Sequence, residues 1–180
     1  DIFLEKLKLA GVGVEIDKYG IRVYYQENLK AVDITTKPHP GFMTDWAPLW
    51  SVLATQLNGP SKIVETIMSS RFQFAKDLKS MGAKIDFFDP KPKDPEKFYN
   101  FNLEDDDPSN FHGMTVTGPT PLKAMNTKVT DIRAGATLAL AGLTATGTST
   151  LTGLDHIDRG YEDFAGRLLQ LGAKLKRVKI

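Results

Sequence analysis

The pattern of apolar and polar positions repeats along the chain. Three segments share one order: Leu7-Lys8-Leu9-Ala10-Gly11-Val12-Gly13-Val14, Leu78-Lys79-Ser80-Met81-Gly82-Ala83-Lys84-Ile85 and Leu168-Leu169-Gln170-Leu171-Gly172-Ala173-Lys174-Leu175. Each reads as the last turn of a helix, a glycine, then an alternating run. Glycine suits the left-handed position just past a helix end, where a side chain is costly. The alternation after it (Val12, Val14, Ile16; Ala83, Ile85; Ala173, Leu175) has the period of a strand. The opening residues, Asp1 to Leu7, already read as the middle of an amphipathic helix, which predicts a longer parent chain.

A second pattern recurs upstream of two of these segments. Thr44-Asp45 opens a run through Val52-Leu53-Ala54, and Thr130-Asp131 opens one through Leu138-Ala139-Leu140. Thr or Asp suits a helix N-cap. The run from Ala134 to Gly142 is small and apolar on every side, which predicts a buried helix. After each helix come a turn (Asn58-Gly59-Pro60; Thr146-Gly147-Thr148), a short strand (62–66; 149–152) and an arginine, Arg71 or Arg159. Further strands are predicted over 21–25, 31–35 and 114–117. The unit is helix, strand, helix, strand. Repetition of it makes one α/β domain over 1–180, with two copies complete and the first cut at its start. Residues 89–113 break the pattern. Pro90, Pro92, Pro95, Pro108 and the acidic run Glu104-Asp105-Asp106-Asp107 predict a solvated surface loop or extended hairpin.

Composition narrows the function. Of 180 residues, 23 are Lys or Arg and 22 Asp or Glu, a net charge of +1 that lacks the basic excess of a general nucleic-acid binder. No apolar run approaches the roughly 18 residues of a membrane span, so a cytoplasmic protein is expected. With no cysteine, disulfides, zinc-thiolate sites and a cysteine nucleophile are excluded within this sequence. His39, His112 and His156 lack metal-ligand spacing, and no metal or cofactor is predicted.

Four segments could carry chemistry. In Pro38-His39-Pro40-Gly41-Phe42-Met43-Thr44-Asp45, a turn delivers Asp45 to a helix start. There it is either a cap or a carboxylate able to take a proton from a substrate hydroxyl. In Glu65-Thr66-Ile67-Met68-Ser69-Ser70-Arg71-Phe72, Arg71 lies between strand and helix. It meets either an anion, to which its planar fork is matched, or a surface carboxylate. In Thr130-Asp131-Ile132-Arg133, Asp131 caps the helix while Arg133 opposes the helix dipole and needs a counter-anion. In His156-Ile157-Asp158-Arg159-Gly160-Tyr161, either Asp158 caps the next helix or Arg159 serves an anion as the counterpart of Arg71. Trp46 and Trp50, four apart, are expected to pack together.

These segments, in this order, resemble the UDP-N-acetylglucosamine 1-carboxyvinyltransferase family of enolpyruvyl transferases. The resemblance spans nearly the whole chain and is weakest from Phe87 to Gly113. It implies a pseudo-threefold α/β domain of βαβαββ-type units, helices inside and sheets outside, forming the C-terminal half of a two-domain bacterial enzyme. It implies transfer of enolpyruvyl from phosphoenolpyruvate to the 3′-hydroxyl of UDP-N-acetylglucosamine, with release of phosphate, in peptidoglycan synthesis. By resemblance Asp45 is the catalytic base and Ile67 contacts the UDP-sugar through its backbone. Arg71, Arg133 and catalytic Arg159 line the phosphoenolpyruvate side beside Asp131. The missing N-terminal domain would supply a general acid on a flexible loop, a lysine and another arginine. The sequence departs from the family at Met43, where proline is usual and whose presence predicts a looser turn. It departs again at Ser69-Ser70, where Glu-Asn is usual, and in the length of the 89–113 insertion. Those departures leave two alternatives: a non-catalytic paralogue of the same fold, or a sister transferase such as 5-enolpyruvylshikimate-3-phosphate synthase.

Overall fold

In the computed structural model, which describes residues 2–178, α1 (Ile2–Leu9) leads into a hairpin of β1 (Gly13–Asp17) and β2 (Gly20–Tyr24). Next come β3 (Ile34–Thr35), a 3₁₀ turn at Thr44–Trp46 running into α2 (Ala47–Ala54), and β4 (Gly59–Val64). A second 3₁₀ turn, Arg71–Phe74, runs into α3 (Ala75–Ser80), followed by β5 (Lys84–Phe88). The connection to β6 (Gly113–Gly118) carries α4 (Pro95–Phe98) and a 3₁₀ turn at Leu103–Asp105. The chain then forms β7 (Asn126–Lys128), α5 (Ile132–Thr144), β8 (Thr150–Thr152), α6 (Asp155–Asp158) and α7 (Phe164–Gln170).

The three glycine stops share one hydrogen-bond pattern. Gly11, Gly82 and Gly172 have φ of 84, 99 and 87°, a region that a Cβ disfavours. At each, the glycine N–H and the next N–H turn back into the last helical turn: Gly11 to Lys8 and Val12 to Leu7, Gly82 to Lys79 and Ala83 to Leu78, Gly172 to Leu169 and Ala173 to Leu168, all between 2.9 and 3.0 Å. This is the Schellman closure, which satisfies carbonyls a helix end leaves free. The strands expected beyond Gly11 and Gly82 are present as β1 and β5. The one expected beyond Gly172 is not: residues 173–178 carry no ladder. Their alternation meets no partner strand among the described residues, and a strand exists only through its ladder.

The sheet of the second unit has the order β3-β4-β6-β5, with β3 parallel to β4 and the other pairs antiparallel. The third unit repeats its parallel half as β7 beside β8. The copies match bond for bond. Ala31 N–H donates to Asn58 O and Ala124 N–H to Thr146 O, both at 3.1 Å; Val32 N–H donates to Ser61 Oγ (3.1 Å) and Met125 N–H to Ser149 Oγ (3.2 Å). The repeated tripeptides Leu29-Lys30-Ala31 and Leu122-Lys123-Ala124 lie at these sites, a signature the helix-based periodicity overlooks. Only Ile34 and Thr35 of the expected 31–35 strand enter the ladder as a named strand.

Helices lie inside and sheets outside. Residues Ala47, Pro48, Trp50, Ser51, Val52 and Ala54 of α2 are buried, and the helix packs on β4, β6 and α5. On β4, Ser61 and Ile63 face inward while Pro60 and Lys62 face solvent. Trp46 and Trp50 each pack on Phe3 and Phe42, ring centroids 5.1 to 6.0 Å apart. The expectation that α5 is buried all round holds for one side only. Gly135, Ala136, Thr137, Leu138 and Ala141 are buried, whereas Ala139, Gly142 and Leu143 line an apolar cleft of about 620 Å³ shared with β8, α6 and α7. The third unit has no hairpin beside β8 among the described residues to cover that flank.

The 89–113 connection joins the antiparallel strands β5 and β6 through two short helical turns and no strand of its own before Gly113, and it is not merely solvated. Asn100 N–H donates to Thr66 O (2.7 Å), which ties the link to the end of β4. His112 is buried and stacks on Phe101, its ring 5.1 Å away.

At Gly118 a Cβ would lie 2.5 Å from Leu57 O and 2.7 Å from the carbonyls of Ala54 and Thr55. All three are backbone atoms at the end of α2, so none can swing aside. Gly118→Ala is therefore expected to destabilise the fold by about 1–3 kcal/mol. The check is a lowered urea midpoint at unchanged slope.

Candidate active site

Asp45 is not a helix cap. The residue preceding its 3₁₀ turn is Met43, α2 is preceded by Trp46, and neither start has a side-chain cap bond. The Asp45 side chain is instead 59% exposed and accepts from two arginines through one oxygen. Arg133 Nε lies 2.6 Å from Asp45 Oδ1 and Arg71 Nη2 lies 3.3 Å from it. Among the described residues, Asp45 Oδ2 has no partner, nor has any terminal nitrogen of Arg133. Exposed pairs of this kind contribute little to stability. What they provide is an open carboxylate oxygen beside free N–H edges.

Met43 does not loosen the turn. Its φ of −66° is the value a proline would impose. Lys37 N–H to Phe42 O (2.9 Å), Gly41 N–H to Pro38 O (2.8 Å) and Trp46 N–H to Met43 O (3.0 Å) hold the segment in place.

Arg71 is the anchored member. Its side chain is 7% exposed, and its Nε donates to Thr44 Oγ1 at 2.9 Å. Burial and the neighbouring Arg133 push its guanidinium below the ordinary arginine value, while Asp45, Glu65 and Asp131 act in the opposite direction. A guanidinium stays charged under these opposing influences. Asp131 accepts from Arg133 N–H (2.8 Å) and Ala134 N–H (3.0 Å), so it is the N-cap of α5, as expected. Asp45, Arg71, Asp131 and Arg133 thus come together from separate segments. The cap explains why Arg133 is tolerated at a helix start: its counter-anion is Asp45, from the other unit.

Ile67 joins the group through its backbone. Its N–H donates to Glu65 Oε1 at 2.7 Å, as does Met68 N–H at 3.1 Å. Glu65 is 1% exposed and also accepts from Thr36 Oγ1 and Thr44 Oγ1, both at 2.8 Å. Sequence reasoning quoted Glu65 but gave it no role. The available signal was a lone acid closing the strand Ile63-Val64-Glu65, where a charge is found only if paired or hydrogen-bonded.

Arg159 lies outside this network. It is exposed, and its Nη2 is 3.1 Å from His156 Nδ1. Gly160 sits against Ile132, which places Arg159 at the same end of α5 as Asp131 and Arg133. Asp158 caps nothing: it pairs with Arg177, whose guanidinium holds its carboxyl below the usual range. The cap of α7 is Asp163. Among the described residues no group of His, Asp and Glu is arranged to hold a metal ion, and no helix is long and apolar enough to cross a membrane.

Comparison with known proteins gives this geometry its context. The profile of the EPSP synthase (3-phosphoshikimate 1-carboxyvinyltransferase) family matches residues 1–168. The chain belongs to this family. Among curated members, it is 38% identical over 178 residues to UDP-N-acetylglucosamine 1-carboxyvinyltransferase of Protochlamydia amoebophila, and 39% identical to that of Corynebacterium jeikeium. These alignments cover 98% and 99% of this chain but 37% of each relative. This carboxyvinyltransferase-family chain therefore spans little more than a third of their length. The crystal structure of the enolpyruvyl transferase NikO from Streptomyces tendae matches with a TM-score of 0.78 at 25% identity, covering 99% of this chain and 36% of NikO. EPSP synthase from Acinetobacter baumannii matches with a TM-score of 0.60 at 17% identity, covering 98% of this chain and 36% of that one, and so shares the fold.

The two aspartates at this carboxyvinyltransferase-family site differ in kind, and stability separates them. Asp131→Ala is expected to cost about 1 kcal/mol through the lost cap. Asp45→Asn is expected to shift stability by less than about 0.5 kcal/mol. Urea unfolding of the two variants beside the parent tests both values.

Proposed function

We propose that this chain is the C-terminal domain of a carboxyvinyltransferase that uses phosphoenolpyruvate and UDP-N-acetylglucosamine, in the cytoplasm of a bacterium building peptidoglycan. The observation that carries the reading is Asp45: exposed, free of any capping duty, and held by two arginines with one oxygen open. The identity to UDP-N-acetylglucosamine 1-carboxyvinyltransferases supports the choice of acceptor.

Asp45 Oδ2 takes the proton of the acceptor hydroxyl as its oxygen bonds to C2 of phosphoenolpyruvate. C3 gains a proton in that step. The C2–O bond to phosphate then breaks, C3 gives up a proton, and the enol ether and inorganic phosphate leave. Arg71 and Arg133 bind the carboxylate and phosphate of the donor and stabilise charge in the tetrahedral adduct. Arg159 joins them from the start of the α6–α7 connection. Ile67 meets the acceptor through its backbone. The donor of the C3 proton belongs to a further domain, in keeping with the share of each relative that this chain spans.

The complete polypeptide carrying this sequence is expected to release phosphate from phosphoenolpyruvate only when UDP-N-acetylglucosamine is present. Asp45→Asn is expected to lower kcat by about 10²–10⁴-fold. No phosphate release with any acceptor leaves the non-catalytic paralogue as the reading. The likeness to NikO over almost the whole chain favours a second reading, a sister transferase with another acceptor. Release with shikimate 3-phosphate or another hydroxyl compound, and none with the UDP-sugar, would establish it. The 180-residue chain alone is expected to release no phosphate, which the same assay checks.

A further inference from the structure

Glu65 is a buried carboxylate with no assigned part in the chemistry, and its bonding pattern fixes more than itself. Its two oxygens receive four donors: Thr36 Oγ1, Ile67 N–H and Met68 N–H at Oε1, and Thr44 Oγ1 at Oε2. An ionised carboxylate only accepts, so each hydroxyl facing it must point its single proton at it. At Thr44 the other half of the geometry is equally constrained. Arg71 Nε only donates, so the Thr44 oxygen must accept from it. The direction is therefore settled along the chain: Arg71 Nε–H to Thr44 Oγ1, then Thr44 O–H to Glu65 Oε2. The same logic holds at Thr36, whose oxygen accepts from Thr66 N–H at 2.8 Å while its proton goes to Glu65.

We infer that Glu65, acting through the Thr44 hydroxyl, is the positioning residue that sets the Arg71 guanidinium against Asp45. With Nε held by Thr44, the planar fork has its Nη2 edge turned to Asp45 and its remaining edge free for an anion. Without that hold, the guanidinium keeps, among the described residues, the 3.3 Å contact with an exposed carboxylate. A second arm of Glu65 holds the 65–68 turn through the Ile67 and Met68 amides. The two arms separate experimentally, because Thr44→Val removes the first and leaves the second. The kinetic consequence rests on the reading of Arg71 as a phosphoenolpyruvate ligand; the orientation of Arg71 does not.

Two measurements test the inference. In the ¹⁵N NMR spectrum of the complete polypeptide, Arg71 Nε–H is expected to exchange with water about 10-fold more slowly than Arg159 Nε–H, the protection one hydrogen bond gives. Thr44→Val is expected to abolish that protection, and Thr44→Ser to restore most of it. In the complete polypeptide, Thr44→Val is expected to raise KM for phosphoenolpyruvate about 10-fold while leaving KM for the acceptor within about 2-fold. Glu65→Gln, which puts an NH₂ group among these donors, is expected to raise both. An Arg71 Nε–H that exchanges as fast as that of Arg159 in the parent overturns the inference without recourse to any variant. So does equal loss of both KM values in Thr44→Val. Absence of all turnover would overturn the proposed function instead; the exchange measurement then decides the role of Glu65, because Glu65→Gln is expected to lower the Arg71 Nε–H protection and unchanged protection overturns the inference.

Discussion

A helix enclosed on nearly every side must bring its two ends to a surface, and that constraint on α2 organises the molecule. Trp50, Val52 and Ala54 are buried, with β4 and β6 against one side and α5 against another. At its far end the carbonyls of Ala54, Thr55 and Leu57 press on Gly118 of β6 with no room for a methyl group. Its start therefore emerges on the opposite rim, and a 3₁₀ turn with no cap carries Asp45 there. The start of α5 reaches the same rim, because the two helices pack together. Asp45 meets Arg133 across the junction of two units, a contact spanning 88 positions of sequence.

This arrangement joins local and distant forces in a particular way. The Asp45–Arg133 pair is exposed and weak, and Asp45 meets the buried side chain of Arg71 at only 3.3 Å, so these pairs do not hold the site together. The rigid frame beneath does: the β3–β4 ladder, the Glu65 carboxylate with its four donors, and the Thr44 hydroxyl between carboxylate and guanidinium. A frame of buried, fully bonded polar groups keeps an exposed charge in a defined orientation, at the expense of tolerating few substitutions.

Legibility in the sequence followed the range of the interaction. The glycine stops were readable because a Schellman closure is decided within six residues. Asp131 was readable as a cap for the same reason. Asp45 looked identical in sequence, yet the segment before α2 takes another path, and only the tertiary fold tells the two aspartates apart. Arg71 and Arg159 match by position in the repeat, but one is packed beneath Thr44 and the side chain of the other lies against His156. The strand expected after Gly172 has the right alternation and no neighbour to pair with among the described residues. Glu65 was present in the motif, and its role was hidden because no local pattern announces a buried acid whose donors come from Thr36, Thr44 and its own turn.

The open flank of α5 has a consequence for how motion is distributed. The second unit closes its sheet with four strands, whereas the described residues of the third form a two-stranded ribbon, with Leu169 and Leu171 turned to solvent and a cleft between Ala139, Leu143 and residues 174–178. Regions with little buried apolar contact open at lower free energy than the core. In the 180-residue chain, amide protons of α7 should thus exchange through partial opening, while those of β4 and β6 wait for global unfolding. Arg159 rides on the looser body and Asp45 and Arg71 on the tighter one. Within this 180-residue chain the separation of Arg71 from Arg159 is then a soft coordinate, one that a dianion held by both would stiffen.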